Sequence, residues 1–286
     1  MPLNSKIVGQ QSKSFTHEVD ARWIMAYAAS LGDTTAAHLD TQAGTVVAHP
    51  LFPVCLEWPV ILDCATVPGS ETATPDERAR GVHAAHDLHI LRPIHAGETL
   101  TTQATIIGIR KIKPGAAQTM RLDTTDEAGE LVSRTYQLSI SRGVDVLGEA
   151  DASEPTPESP RLDDIEDNKG RRIQMPVARG AAHTYTECAR IWNPIHTDRQ
   201  VALAAGLPDI ILHGTATLAM AVSKLIEEVV GNPERVRRIG GRFSAMVLMP
   251  SVLTLVIHGQ QAGIVRFSVL TDDGKTAFSN GFLCFD

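Results

Sequence analysis

Apolar and polar positions along this chain of 286 residues follow one programme twice. Near the start, "EVDARWIMAYAASLG" sets Val19, Trp23 and Tyr27 at i, i+4 and i+8, the spacing of one face of an amphipathic helix. "LFPVCLEWPVILDCA" follows as a short buried helix. "TLTTQATIIGIRKI" and "AQTMRLDTTDEAGELVSRTYQLSIS" then carry alternating, β-branched runs, with "DEAG" as a hairpin turn. In the second half, "ILHGTATLAMAVSKLIEEVVG" predicts a long helix stopped at Gly231-Asn232-Pro233. "SVLTLVIHGQ", "GIVRFSVLTDDGK" and "TAFSNGFLCF" read as strands, with "DDGK" as a turn. The first turns of that helix are all small (Gly214, Thr215, Ala216, Thr217, Ala219, Ala221), so a curved sheet can wrap it closely. Each half therefore predicts a central helix embraced by an antiparallel sheet, an α+β arrangement.

Between the halves lies "LGEADASEPTPESPRLDDIEDNKG", residues 147–170, acidic and proline-rich. It has too few large apolar side chains to offset its ordering entropy and predicts a linker between units at 1–146 and 171–286. Offsetting the chain by 158 residues aligns "YAASLGDTTAAHLD" with "YTECARIWNPIHTD". Tyr27 meets Tyr185, His38 meets His196 and Asp40 meets Asp198.

The run "WNPIHTDRQVALAAGLPDIILHGTATLAMA" resembles the signature of the MaoC-like, R-specific enoyl-CoA hydratases (hydratase 2). Asn193, Pro194, His196, Asp198, Ala202, Ala205, Gly206, His213 and Gly214 fit that pattern, and "RPIHAGETLTT" resembles the strand entry of such domains. The resemblance implies a double hotdog fold, two long central helices each wrapped by a curved antiparallel sheet, with the halves packed as a pseudo-dimer. It also implies syn addition of water to a trans-2-enoyl-CoA, giving an R-3-hydroxyacyl-CoA, or the reverse. A paired Asp and His suit the proton transfers, and a glycine N–H at a helix N-terminus suits the thioester oxygen.

Each half departs from the pattern differently. The family's catalytic Asp falls on Ile191 and its preceding Gly on Arg190. In the N-terminal half Asp33 and His38 hold the acid/base positions after Gly32, but Thr35 and Ala36 replace Asn-Pro and "AHPLFPVC" replaces the His-Gly helix opening. In the preferred reading His196 is the base, Asn193 orients it or the water, and Gly214 stabilises the enolate-like oxygen. In the second, Asp33 and His38 do the chemistry and the C-terminal half binds ligand. Pseudo-two-fold packing sets two such sites apart, so a composite of both halves is not expected. Asp198, His213 and the basic run Arg237, Arg238 and Arg242 are the candidate substrate-binding residues, the arginines for coenzyme A phosphates. Two other outcomes stay open: a non-catalytic acyl-CoA or acyl-carrier binding protein, and a thioesterase, for which Cys188 near His196 is the conceivable nucleophile.

Net charge, −7, argues against nucleic acid and anionic membranes as general partners. Cys55, Cys64, Cys188 and Cys284 lack CxxC spacing, as expected of reduced thiols in a cytoplasmic protein. The N-terminus lacks a signal-peptide apolar region, and Lys224, Glu227 and Glu228 interrupt the longest apolar tract, so no membrane span is expected. His83, His86, His89 and His95 invite a metal reading. On a regular strand, however, His83 and His89 face away from His86, and no metal is expected. "IGG" at 239–241 lacks the context of a nucleotide-binding loop, so no cofactor is expected. The expected partner is an acyl-CoA or acyl-carrier thioester, and a homodimer is expected because such folds often dimerise further.

Overall fold

The computed structural model describes residues 2–74, 77, 80–160 and 170–286. In chain order its strands are β1 (Leu3–Asn4), β2 (Phe15–Val19), β3 (Gly81–Ile90), β4 (Glu98–Ile112), β5 (Gly115–Thr125), β6 (Leu131–Arg142), β7 (Val146–Leu147), β8 (Asp151–Ala152), β9 (Arg171–Val177), β10 (Val236–Phe243), β11 (Ser251–Gln261), β12 (Ile264–Leu270) and β13 (Thr276–Phe285). The helices are α1 (Ala21–Ser30), α2 (Ala36–Leu39), α3 (Pro53–Asp63), α4 (Ala181–Ala189), α5 (Arg199–Ala204) and α6 (Gly214–Leu225). Val19 ends β2 rather than opening α1, because the Asp20 carboxylate caps the helix by accepting from the Trp23 N–H at 2.7 Å.

The two halves share one sheet, ordered β2-β4-β5-β6-β3-β10-β13-β12-β11-β9. They join edge to edge where β3 pairs antiparallel with β10, His89 opposite Arg238 and Ala85 opposite Arg242. Gly240 lies at this seam; a Cβ there would collide with the Phe282 ring and the His86 carbonyl. Gly240 and Gly241 thus permit close packing.

α3 and α6 are the central helices. Leu56 on α3 and Leu218 and Val222 on α6 are fully buried in one core that runs through both halves. α1 packs on α4 across the pseudo-two-fold axis, where the Tyr27 and Tyr185 hydroxyls lie 3.4 Å apart. The 158-residue repeat thus meets itself at the seam. Of the acidic segment, β8 pairs with β4, Glu154 pairs with Arg121, and the Glu158 carbonyl accepts from Arg238 at 2.8 Å. Residues 161–169 lie outside the described residues. No helix among the described residues is long and apolar enough to cross a membrane.

Candidate active site

In the C-terminal half α4 ends at Arg190, in the left-handed region at φ 58°. Gly32 occupies the same place after α1, at φ 73°. Arg190 is held there by its guanidinium, 3.7 Å over the Trp23 ring of the other half. Asn193 caps a single 3₁₀ turn, Pro194–His196, and Asp198 caps α5 through the Gln200 and Val201 N–H groups. His196 donates from Nδ1 to the Ile211 carbonyl at 2.8 Å, which leaves Nε2 with its lone pair. Its ring stacks on His213 at 3.6 Å, and His213 Nε2 lies 3.3 Å from the Thr186 hydroxyl. Gly214 opens α6, and a Cβ there would sit 2.9 Å from the Phe243 ring. Its N–H belongs to the first turn, which has no intrahelical acceptor.

A cleft of about 320 Å³ reaches this cluster at Thr186, Trp192 and Pro194. Burial pushes His196 down to about 4, against the Ile211 carbonyl, and burial with His196 alongside pushes His213 well below its ordinary value. Both rings are neutral at pH 7. Ile191 is buried, so no carboxylate enters from the position that Asp33 holds in the repeat.

The N-terminal half builds the same frame with one. The Asp33 N–H donates to Ala28 as that of Ile191 does to Thr186. His38 donates from Nδ1 to the Val47 carbonyl at 2.7 Å, as His196 does to Ile211. Two residues beyond each acceptor stands a second histidine, His49 and His213. Here, however, the Asp33 carboxylate faces His38 Nε2 at 3.9 Å, with both side chains buried. His49 lies beside them, ring centroid 5.7 Å from that of His38, and Ser223 of α6 sits 3.2 Å from His49 Nε2. Burial raises the Asp33 carboxyl, but His49, Thr35 and the Ser223 hydroxyl outweigh it and leave it below the ordinary aspartate value. Burial, with His38 alongside, holds His49 down to about 3 despite Asp33.

The structure therefore corrects two expectations. The clusters are separate, but Ser223 from the C-terminal helix reaches into the N-terminal one. His83 and His86 do not face apart: a bulge between His83 and Ala85 brings their rings to 5.3 Å. Among the described residues no group of histidines, cysteines and carboxylates is arranged to hold a metal. Arg238 makes a two-pronged pair with Asp87 at 2.8 and 2.7 Å, and Arg237 pairs with Asp286 at 2.7 Å. Arg242 is exposed. Burial and Glu187 raise the Cys188 thiol, the reverse of nucleophile activation. Sequence reasoning missed His49 and Ser223. The signal for His49 was "VAHP" standing for "ILHG" across a loop six residues shorter.

A central helix in the grip of a curved sheet, twice over and joined edge to edge, is a double hotdog. Comparison with known proteins gives the family. Residues 163–276 match a MaoC like domain, and residues 6–135 match a FAS1-like, dehydratase domain region. The chain is 25% identical over 285 residues to 3-hydroxyacyl-thioester dehydratase Y of Mycobacterium tuberculosis, covering 97% of this chain and 95% of that one. It is 27% identical over 212 residues to the peroxisomal enoyl-CoA hydratase 2 of Arabidopsis thaliana, covering 69% of this chain and 66% of the relative. The crystal structure of a MaoC-like dehydratase from Phytophthora capsici superposes with a TM-score of 0.83 at 22% identity, over 98% of each chain. The C-terminal half thus matches a MaoC like domain and the N-terminal half a FAS1-like dehydratase region, on a double hotdog fold.

Proposed function

We propose that the protein is a hydro-lyase that hydrates trans-2-enoyl thioesters to R-3-hydroxyacyl thioesters, or reverses that reaction, with its acid/base centre at Asp33 and His38. One observation carries the assignment. With its Nδ1 proton on the Val47 carbonyl, His38 turns an acceptor toward a second acceptor, the Asp33 carboxylate, across a gap of 3.9 Å. Such a gap suits a molecule that donates two hydrogens, which a water does, leaving its oxygen lone pair for attack.

As the water oxygen bonds to C3, His38 takes one proton and returns it to C2. Asp33 holds the other hydrogen and stabilises the imidazolium as it forms. The balance is one hydroxyl on C3 and one hydrogen on C2. Ile191 removes this arrangement from the C-terminal half, where the neutral His196 and His213 and the N–H groups of Gly214 and Thr215 suit binding of a thioester. The second reading, with His196 as base, is favoured by that helix N-terminus and by the open cleft beside it. At His49-Pro50 the N-terminal half has no N–H in the place of Gly214.

In this proposal residues 1–146 supply the proton chemistry and 171–286 the binding surface, acting on acyl-CoA or acyl-carrier thioesters. Four free thiols support a reducing compartment such as the cytoplasm. The test follows loss of enoyl-thioester absorbance on trans-2-enoyl-CoAs, with chiral analysis of the product. Hydration to the R alcohol supports the assignment. Release of free coenzyme A would point to a thioesterase instead, and binding without turnover to a binding protein.

A further inference from the structure

The acid/base cluster of the N-terminal half takes one hydroxyl from the other half. Ser223 lies half-buried in the last turn of α6, while Asp33, His38 and His49 are buried. The direction of its hydrogen bonds follows from the neutral ring of His49. His49 Nδ1 accepts from the Leu51 N–H at 3.0 Å, so the ring hydrogen is on Nε2. Nε2 donates that hydrogen to the Ser223 oxygen at 3.2 Å. The Ser223 hydroxyl is then free to donate in turn, and the group it bonds is the Asp33 carboxylate. The donors therefore run one way, from Leu51 through His49 and Ser223, and end on Asp33. The same carboxylate accepts from the Thr35 N–H at 3.0 Å through Oδ1 and faces His38 Nε2 at 3.9 Å through Oδ2.

The C-terminal half lacks both ends of this contact. Ile191 stands where Asp33 does in the repeat. Pro59 stands on α3 ten residues beyond His49, as Ser223 stands on α6 ten residues beyond His213, and a proline offers no hydroxyl. The serine thus faces the one cluster of the two that has a carboxylate to receive its hydrogen. We infer that Ser223 is a positioning residue for the acid/base pair: its hydroxyl holds the Asp33 carboxylate in the orientation that grips the attacking water, so that the centre in the N-terminal half is complete only with the central helix of the C-terminal half. This rests on the Asp33/His38 centre of the proposed function. Held by Thr35 and by Ser223, the carboxylate keeps its remaining lone pairs turned to the gap before His38, and the water there stays aimed at C3. The titratable groups that face Asp33 are His38 of α2 and His49 of the loop before α3; on α6, Lys224 beside Ser223 is paired with Glu227.

The test compares wild type, Ser223→Ala and Ser223→Thr, the last of which keeps the hydroxyl. One readout is steady-state hydration of a four-carbon trans-2-enoyl-CoA. The other is a carbon-13 NMR titration of the full chain labelled at its aspartate carboxyl carbons, the Asp33 signal being the one lost in Asp33→Asn. Ser223→Ala is expected to lower kcat about tenfold, the worth of one hydrogen bond to a charged group, with KM within about twofold. Its Asp33 carboxyl is expected to titrate at higher pH than in wild type, because burial is then opposed by one donor fewer. Ser223→Thr is expected to return both readouts toward wild type. An Asp33 signal that titrates alike in wild type and Ser223→Ala overturns the inference, whatever kcat does. So does a moved signal with kcat unchanged, or an equal loss in Ser223→Ala and Ser223→Thr, which would assign the serine to packing. If wild type turns over no thioester, the hydro-lyase reading fails, and the titration still decides whether Ser223 holds Asp33.

Discussion

Glu57 offers a stability test worked from one side chain. It sits on α3, 1% exposed, with the Thr135 hydroxyl donating to it. Burial raises its carboxyl from an ordinary 4.5 to about 7, against that hydrogen bond. At 1.36 kcal/mol per pH unit, the rise of about 2.5 units corresponds to about 3 kcal/mol. The folded protein holds the proton more tightly than the unfolded chain. The stability linked to that proton is therefore complete below about 4.5 and lost as pH rises through about 7. Glu57→Gln keeps an acceptor for Thr135 and has no charge to bury. Relative to wild type it should gain about 2–3 kcal/mol between pH 5 and pH 8.5, or about 5 °C in melting temperature for a chain of this size. Paired denaturation curves at the two pH values cancel every other titrating group. An equal difference at both pH values would refute the reasoning, as would a variant that loses ground at pH 8.5.

Three further outcomes follow from packing and charge. Gly214→Ala places a Cβ 2.9 Å from the Phe243 ring and should cost about 1–3 kcal/mol in urea denaturation, with Phe243→Leu restoring part of it. Arg238→Leu breaks the two-pronged pair with Asp87 at the β3–β10 seam and should lower the melting temperature while leaving KM for an enoyl-CoA within about twofold; a large rise in KM would instead place Arg238 on the coenzyme. Ile191→Asp sets a carboxylate in the position Asp33 holds in the repeat, so an NMR titration should find His196 raised from about 4 toward neutrality; an unmoved His196 would show that the two halves are not equivalent there.

Much of the fold was legible because its signals are local. The helices around Trp23 and Leu218 and the turns at "DEAG" and "DDGK" are set by periodicity and turn chemistry within a few residues. The repeat was legible through Tyr27 and Tyr185, and the structure places these two in contact. What escaped depends on three-dimensional placement. The period of two assigned His83 and His86 to opposite faces, and one bulged residue reversed that. His49 hid behind a loop six residues shorter than its counterpart, and Ser223 lies on a helix whose sequence reads only as core. Asn193 and Asp198 were legible as motif members, and the structure gives both a capping role. Their chemistry at a helix start is the same in either use. The arginine run was legible as charge, but the acids that answer it, Asp87 and Asp286, come from distant strands and the chain end.

The central claim is that proton transfer belongs to Asp33 and His38, and not to His196. Steady-state hydration of a trans-2-enoyl-CoA, measured side by side on wild type, Asp33→Asn, His38→Ala and His196→Ala, tests it most directly. Loss of general acid/base catalysis should lower kcat about 10²–10⁴-fold in the first two variants. His196→Ala should change kcat by less than about tenfold and act mainly on KM. A kcat that collapses in His196→Ala while Asp33→Asn and His38→Ala keep theirs would contradict the account and return the chemistry to the C-terminal half.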